Sequence, residues 1–137
     1  MARYCRLYDA GDFEGYANLF EGARVIGPLS TLDGAAEVLA YHQTNCLLYD
    51  GSPQTRHVTT NIEIHIDAGA ATATARSYVT VYQALPDFPL QAIFVGAYED
   101  DFVKQDGAWR FATRTAIPYF VGDLSHHARE FLSATAQ

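Results

Sequence analysis

The sequence predicts an α+β fold in which N-terminal helices close one face of a strongly curved, mostly antiparallel sheet. Three observations predict it. Apolar residues recur at helical spacing through the first third of the chain. After Gly51-Ser52-Pro53 the pattern switches to period two. Asp106-Gly107 is a strong hairpin signal between two long strand-like runs. Helices that precede a run of long antiparallel strands settle on one face of the sheet. Long strands twist and bend, and a bent sheet closed by helices encloses a cone-shaped pocket.

The elements follow in order. Residues 2–9 carry Tyr4, Leu7 and Tyr8 at helical spacing, and Gly11 stops that helix. Asp12 is a good N-cap for a second helix whose apolar face is Phe13, Tyr16, Ala17, Leu19 and Phe20. Arg24-Val25-Ile26 reads as a short strand broken by Gly27-Pro28. Asp33 then caps a third helix over 34–46, with Ala36, Val38, Leu39 and Cys46 among its apolar positions. Val58, Thr60, Ile62, Ile64 and Ile66 alternate with His57, Thr59, Asn61, Glu63 and His65, which predicts a strand. Asp67-Ala68-Gly69 turns into a second strand, Ala70 to Tyr82, and a third runs from about Leu90 to Lys104. Trp109, Phe111 and Thr113 open the last strand, and 124–132 reads as a terminal helix. There are no repeats and no linker, so residues 1–137 form one domain.

Composition narrows the function. The chain has 137 residues, 49% hydrophobic and 18% charged, which suits a folded domain and excludes disorder. Nine basic against 16 acidic residues give a formal charge of −7, which argues against nucleic acid and anionic membranes as partners. No apolar run approaches the roughly 20 residues of a membrane span. Met1-Ala2-Arg3-Tyr4 leads straight into an amphipathic segment without a secretory leader pattern. Cys5 and Cys46 form no CxxC. A reduced, cytoplasmic setting is the expectation. Nine tyrosines against eight phenylalanines suit a pocket that is apolar yet donates hydrogen bonds.

One distant pair carries the most specific chemistry. Asp9 ends the first helix, where the helix dipole disfavours an anion by about 0.3–1 kcal/mol, and neither the turn nor the cap needs it. His57 lies in Thr55-Arg56-His57-Val58-Thr59-Thr60-Asn61. An unperturbed imidazole titrates near neutrality, so it can accept a proton at working pH. A carboxylate on its other ring nitrogen fixes the tautomer and stabilises the imidazolium, and such a base contributes about 10²–10⁴-fold. The apolar side of the His57 strand is the opposite one, with Ile62, Ile64 and Ile66. Either the polar side faces the cavity near His57, or a bulge shifts the register. His42 reads as lying on the wet side of its helix, and His126 and His127 cannot point the same way. No HExxH, zinc-spaced cluster, GxGxxG, Walker loop or GxSxG is present, so no metal and no cofactor are expected. The pocket candidates are Tyr8, Tyr49, Tyr78, Tyr82, Tyr98, Arg76 and Arg114, with Asn61 beside His57 on the strand. A buried arginine would need an acidic mate or an anionic ligand.

Leu7-Tyr8-Asp9-Ala10-Gly11-Asp12-Phe13, then Thr55 to Asn61, then Lys104-Gln105-Asp106-Gly107-Ala108-Trp109-Arg110-Phe111 resemble the SnoaL-like branch of the nuclear transport factor 2-like superfamily. The resemblance covers nearly the whole chain. The hairpin motif is typical of the superfamily and bears on fold alone. The Tyr-Asp and Thr-x-His segments are similar to scytalone dehydratase and hexachlorocyclohexane dehydrochlorinase, and bile acid dehydratases are related in the same way. The resemblance implies His57 as catalytic base, Asp9 as its carboxylate partner and Tyr8 as a tyrosine that holds an active-site water. It also implies a homodimer or higher homo-oligomer formed through the convex face of the sheet. Other positions depart: Tyr82 stands where scytalone dehydratase has a second histidine, and Gly96 and Tyr98 where it has serine and asparagine. A second water-binding tyrosine is replaced near Gly27. These departures argue against scytalone itself as substrate.

Two functions are therefore expected to compete. One is a cofactor-independent lyase or isomerase acting on a small apolar, cyclic or polycyclic molecule by elimination, double-bond migration or cyclisation. Its residues would be His57 and Asp9, with Tyr8, Tyr49, Asn61, Tyr82, Tyr98 and Arg114 on the substrate. The other is a non-catalytic ligand-binding or structural subunit of the same fold. An Asp9–His57 bridge beside an open cavity separates the two.

Overall fold

The computed structural model describes residues 2–131, with only the backbone of Phe131 at its end. Three helices, α1 (Ala2–Asp9), α2 (Phe13–Asn18) and α3 (Gly34–Asn45), pack on one face of a six-stranded sheet. The strands are β1 (Arg24–Ile26), β2 (Thr31–Asp33), β3 (Thr55–Asp67), β4 (Thr72–Leu85), β5 (Phe88–Gln105) and β6 (Ala108–Val121). Their order is β2-β1-β6-β5-β4-β3. Only β1 and β6 run parallel, which places the small β1–β2 hairpin against the far end of the long antiparallel sheet.

The helix signals work as local chemistry predicts, with one exception. Asp12 caps α2 through its carboxylate, which accepts from the Gly15 N–H at 2.8 Å. Asp33 precedes α3 but makes no side-chain cap. Its carboxylate instead accepts from Arg24 across the β1–β2 pair at 2.7 Å. Asp33, which reads as the cap of the third helix from sequence, is thus the last residue of β2 and is held by that exposed pair.

Strand β4 shows a near-strict alternation. Ala73, Ala75, Ser77, Val79, Val81 and Gln83 are buried on the helix-covered face, while Arg76, Tyr78 and Tyr82 face outward. Phe20, Val38, Val79 and Ile93 are fully buried and anchor the core between helices and sheet. Burial of each such side chain stabilises the fold by about 1.5–3 kcal/mol.

The question of the β3 register is resolved by a bulge. Thr60 pairs with Tyr78 but Glu63 pairs with Arg76, so Asn61 and Ile62 together oppose one residue of β4. Asn61 adopts φ 53°, a left-handed conformation that asparagine tolerates better than most residues. Before the bulge, His57 and Thr59 share the face of Val81 and Val79. After it, Ile64 and Ile66 share the face of Ala75 and Ala73, where they remain largely exposed beyond the helices. The polar half of the strand therefore faces the helices, and the isoleucine half reaches that same face one residue out of step.

The expected terminal helix over 124–132 is a turn at 125–127 followed by a short 3-10 helix, Arg129–Phe131; residue 132 lies outside the described residues. Backbone and side-chain bonds strap this segment down. The Leu47 N–H donates to the His127 carbonyl at 2.9 Å, and the Tyr49 hydroxyl to the His126 carbonyl at 2.7 Å. Gln83 Nε2 donates to the same His126 oxygen at 3.0 Å. No helix of the described residues is long and apolar enough to cross a membrane.

Candidate active site

Asp9 reaches β3 because of how α1 ends. Gly11 takes φ 79°, and its N–H donates to the Tyr8 carbonyl at 2.9 Å, closing the helix in a tight turn. A Cβ at Gly11 would collide with the Gly51 carbonyl oxygen, so the turn sits directly on the loop leading into β3. Ser52 Oγ donates to the Asp9 carbonyl at 3.1 Å and reinforces that contact. The helix end and the strand start are thereby fixed against each other.

The Asp9 carboxylate is then fully engaged. Its Oδ1 lies 2.6 Å from His57 Nδ1 and accepts from the Thr55 hydroxyl at 2.8 Å. Its Oδ2 accepts from the His57 backbone N–H at 2.8 Å. The side chains of His57 and Asp9 are only 7% and 10% exposed. Burial by itself pushes the Asp9 carboxyl up. The His57 ring, the His57 backbone N–H and the Thr55 hydroxyl outweigh that and hold it below the usual carboxylate value.

His57 forms part of the wall of a cavity of about 230 Å³ between the helices and the sheet. Val81, Ile93, Phe94 and Ala116 supply apolar wall from the sheet, and Tyr4, Tyr8 and Tyr16 line it from the helices. Burial pushes the hydroxyls of Tyr4, Tyr8, Tyr16 and Tyr98 above the usual tyrosine range, so all four stay protonated at neutral pH. The Tyr8 ring packs edge-on to His57, with centroids 4.9 Å apart.

Arg114 is the cavity's cation and is 2% exposed. Its guanidinium makes two bonds to Asp100, at 2.7 and 2.8 Å, in the bidentate geometry that buried arginine requires. It lies 4.3 Å from the Tyr4 ring and 4.0 Å from the Tyr98 ring, and the hydroxyls of those two tyrosines are hydrogen-bonded to each other. The acidic mate is thus present, and the arginine needs no anionic ligand to be neutralised.

Of the residues expected at the site, His57, Tyr8, Tyr98 and Arg114 line the cavity, and Asp9 stands directly behind His57. Three others do not line it. Tyr82 lies on the outward face of β4, because its parity matches Tyr78 rather than Val81. Asn61 sits exposed in the β3 bulge. Tyr49 spends its hydroxyl on the His126 carbonyl and latches the C-terminal segment. Arg76 and Tyr78 also face outward.

The structure adds residues that sequence reasoning passed over. Tyr4 lies one turn before Tyr8 on the same helix face and lines the cavity. His42 is not on the wet side of α3; it lines the cavity one turn from buried Val38 and one turn from buried Cys46. That spacing of four was the available signal. His127 enters from the C-terminal turn, its Nε2 3.5 Å from the Tyr8 hydroxyl, and no periodicity marks it.

The chain belongs to the SnoaL-like domain family, whose profile matches residues 1–115. Its fold is that of the nuclear transport factor 2-like proteins, also described as cystatin-like. Among solved structures it is similar to Rv3472 from Mycobacterium tuberculosis, a protein of unknown function. The two are 27% identical, with 88% of this chain and 68% of that one covered and a TM-score of 0.72. It is also similar to a Novosphingobium aromaticivorans protein provisionally assigned as a scytalone dehydratase, at 27% identity, 88% and 79% coverage and a TM-score of 0.68. LinA shares the fold at 17% identity, 90% and 84% coverage and a TM-score of 0.70. No curated protein matches the chain.

Proposed function

We propose that the protein is a cofactor-independent lyase or isomerase in which His57, backed by Asp9, removes a proton from a small, largely apolar cyclic substrate. The observation that carries this reading is the 2.6 Å contact between His57 Nδ1 and Asp9 Oδ1 at the wall of the cavity. With Nδ1–H donated to the carboxylate, Nε2 carries the lone pair that accepts the substrate proton. The imidazolium that forms keeps its counter-charge in Asp9. The proton removed lies next to a carbonyl or opposite a leaving group, since an imidazole base needs an activated C–H. The protonated tyrosines of the cavity donate to the oxygen on which charge develops. Elimination of a hydroxyl or halide ranks first, and double-bond migration uses the same base.

The bridging distance and the open cavity support this reading over that of a non-catalytic binding subunit. The test is proton exchange and elimination on cyclohexanone and β-hydroxycyclohexanone, followed by NMR in deuterated buffer. The wild type should accelerate deuterium uptake beside the carbonyl, and His57→Ala and Asp9→Asn should each lose about a hundredfold or more. Equal rates in all three proteins would remove the dyad from the chemistry.

A further inference from the structure

Outside the dyad, the cavity contains another imidazole whose surroundings do not use its polarity. Four aromatic rings pack against His42. Tyr8, Tyr16 and Tyr41 meet it edge-on at 5.2, 5.1 and 5.2 Å, and Phe13 lies tilted at 5.9 Å. None of those contacts is a hydrogen bond, and neither ring nitrogen has a hydrogen-bond partner among the described residues. A polar ring set among aromatics costs stability unless its nitrogens find a partner. His42 lines the same cavity as His57, and the cavity is where a partner can reach it.

We propose that His42 is a second ligand-binding residue of this cavity, forming a hydrogen bond to the oxygen of an uncharged phenolic or ketonic ring while His57 acts as base. This rests on the reading of the cavity as the ligand site and adds the ligand's chemical class. The class follows from charge. Arg114 is already paired with Asp100, and the cavity tyrosines keep their protons. Burial, reinforced by His127 and His57, pushes His42 down to about 4, and burial with His57 does the same to His127. At neutral pH both imidazoles are therefore neutral, and the Tyr8-bearing wall offers hydrogen bonds without net charge. A ring with a carbonyl or hydroxyl oxygen matches that wall. A carboxylate would enter without a free cation to meet it.

The experiment uses para-cresol and para-toluate, probes that share a para-methylphenyl ring and differ in charge, with binding measured by calorimetry and by NMR of the histidine rings. Para-cresol should shift the His42 ring signals in the wild type and bind at least tenfold more tightly than para-toluate. His42→Phe keeps an aromatic ring in the box and should weaken para-cresol about tenfold. His42→Gln restores a polar group and should recover part of that loss. Para-cresol affinity unchanged in His42→Phe, unmoved His42 signals, no para-cresol binding to the wild type, or tighter binding of para-toluate would each overturn the proposal. The dyad is tested separately by the deuterium-exchange rates of His57→Ala and Asp9→Asn, so either reading can fail alone.

Discussion

Thr55 and His57 converge on a single oxygen of Asp9: the Thr55 hydroxyl donates to Oδ1 at 2.8 Å, and His57 Nδ1 meets the same atom at 2.6 Å. Thr55 is fully buried and contributes no group to the cavity wall. It acts through Asp9 as a positioning residue. Thr55→Val keeps the shape and removes the hydroxyl. Loss of one bond to a charged acceptor should cost about 1–3 kcal/mol in denaturant unfolding. It should also raise the Asp9 carboxyl, because a bond that holds it down is gone. Carboxyl-carbon NMR titration reads the second effect, and an unchanged Asp9 would show that the hydroxyl does not tune the dyad.

The same titration tests the dyad from its other side. His57→Phe removes both the ring bond and the ring charge that lower Asp9. Burial then acts with less opposition, and the Asp9 carboxyl should titrate at higher pH than in the wild type. An Asp9 that titrates unchanged in His57→Phe would mean the two groups do not communicate.

Acid should loosen this protein as its two buried cavity imidazoles take up protons. His42 and His127 are held near 4 in the fold, against an ordinary 6.5. Between those values the unfolded chain binds more protons than the folded one, so stability rises with pH across the window. It is complete above 6.5 and falls progressively towards 4. Asp9, whose folded value is depressed, adds its own loss only as the pH falls below 3.8 and through that folded value. Unfolding free energies measured across this range should slope upward with pH, and the slope should shrink in His42→Phe. A flat profile from 4 to 6.5 would contradict the burial of these imidazoles.

The Arg114–Asp100 pair should be structurally expensive to break on one side. Asp100→Ala leaves a guanidinium buried between Tyr4, Tyr98 and Phe111 without its bidentate partner. A loss of about 3–5 kcal/mol is expected in denaturant unfolding. Replacing both residues by apolar ones of similar volume should recover most of it. A single variant as stable as wild type would show that the pair contributes little.

The outward face of the sheet makes a prediction about assembly. Tyr78, Tyr82, Tyr119 and Phe120 lie exposed there, Phe120 to 73%, and the Tyr78 and Tyr119 rings meet at 6.3 Å. The family resemblance leads us to expect a homodimer across this face. Light scattering should give twice the chain mass, and Tyr78→Glu with Phe120→Glu should give the monomer mass. A wild-type monomer at micromolar concentration would refute it.

The sequence made the broad architecture readable where periodicity was clean. Tyr4, Leu7 and Tyr8 marked α1, and the alternation of Val79 and Val81 with Tyr78 and Tyr82 marked β4. The same alternation was enough to place Tyr82 outward once Val81 was taken as core. Asn61 was lost because a bulge changes parity without changing the strand's composition. The dyad was legible because a carboxylate at a helix end had no structural task there. His42 was not legible as a wall residue because histidine does not register in an apolar pattern, although its spacing puts it in the stripe of Val38 and Cys46. Arg114 gave no local sign of burial, since its partner Asp100 comes from the neighbouring strand. His127 follows a turn, where side-chain direction depends on tertiary bonds that no short pattern encodes.

The bulge at Asn61 and Ile62 also bears on how this protein tolerates change. It works as a hinge in the reading frame of β3, letting the strand serve two neighbourhoods under separate rules. Substitutions beyond it need only suit the exposed isoleucine stretch, and they leave His57 where it is. Deleting one of the two bulge residues would leave a single residue opposite Ser77 and a regular ladder, in which His57 keeps Val81 and Ile64 keeps Ala75 as partners. A residue gained there would instead have to widen the bulge, or else turn one half over, so that the base left the cavity or Ile64 and Ile66 changed sides. The strand can therefore lose a residue at the bulge more safely than it can gain one.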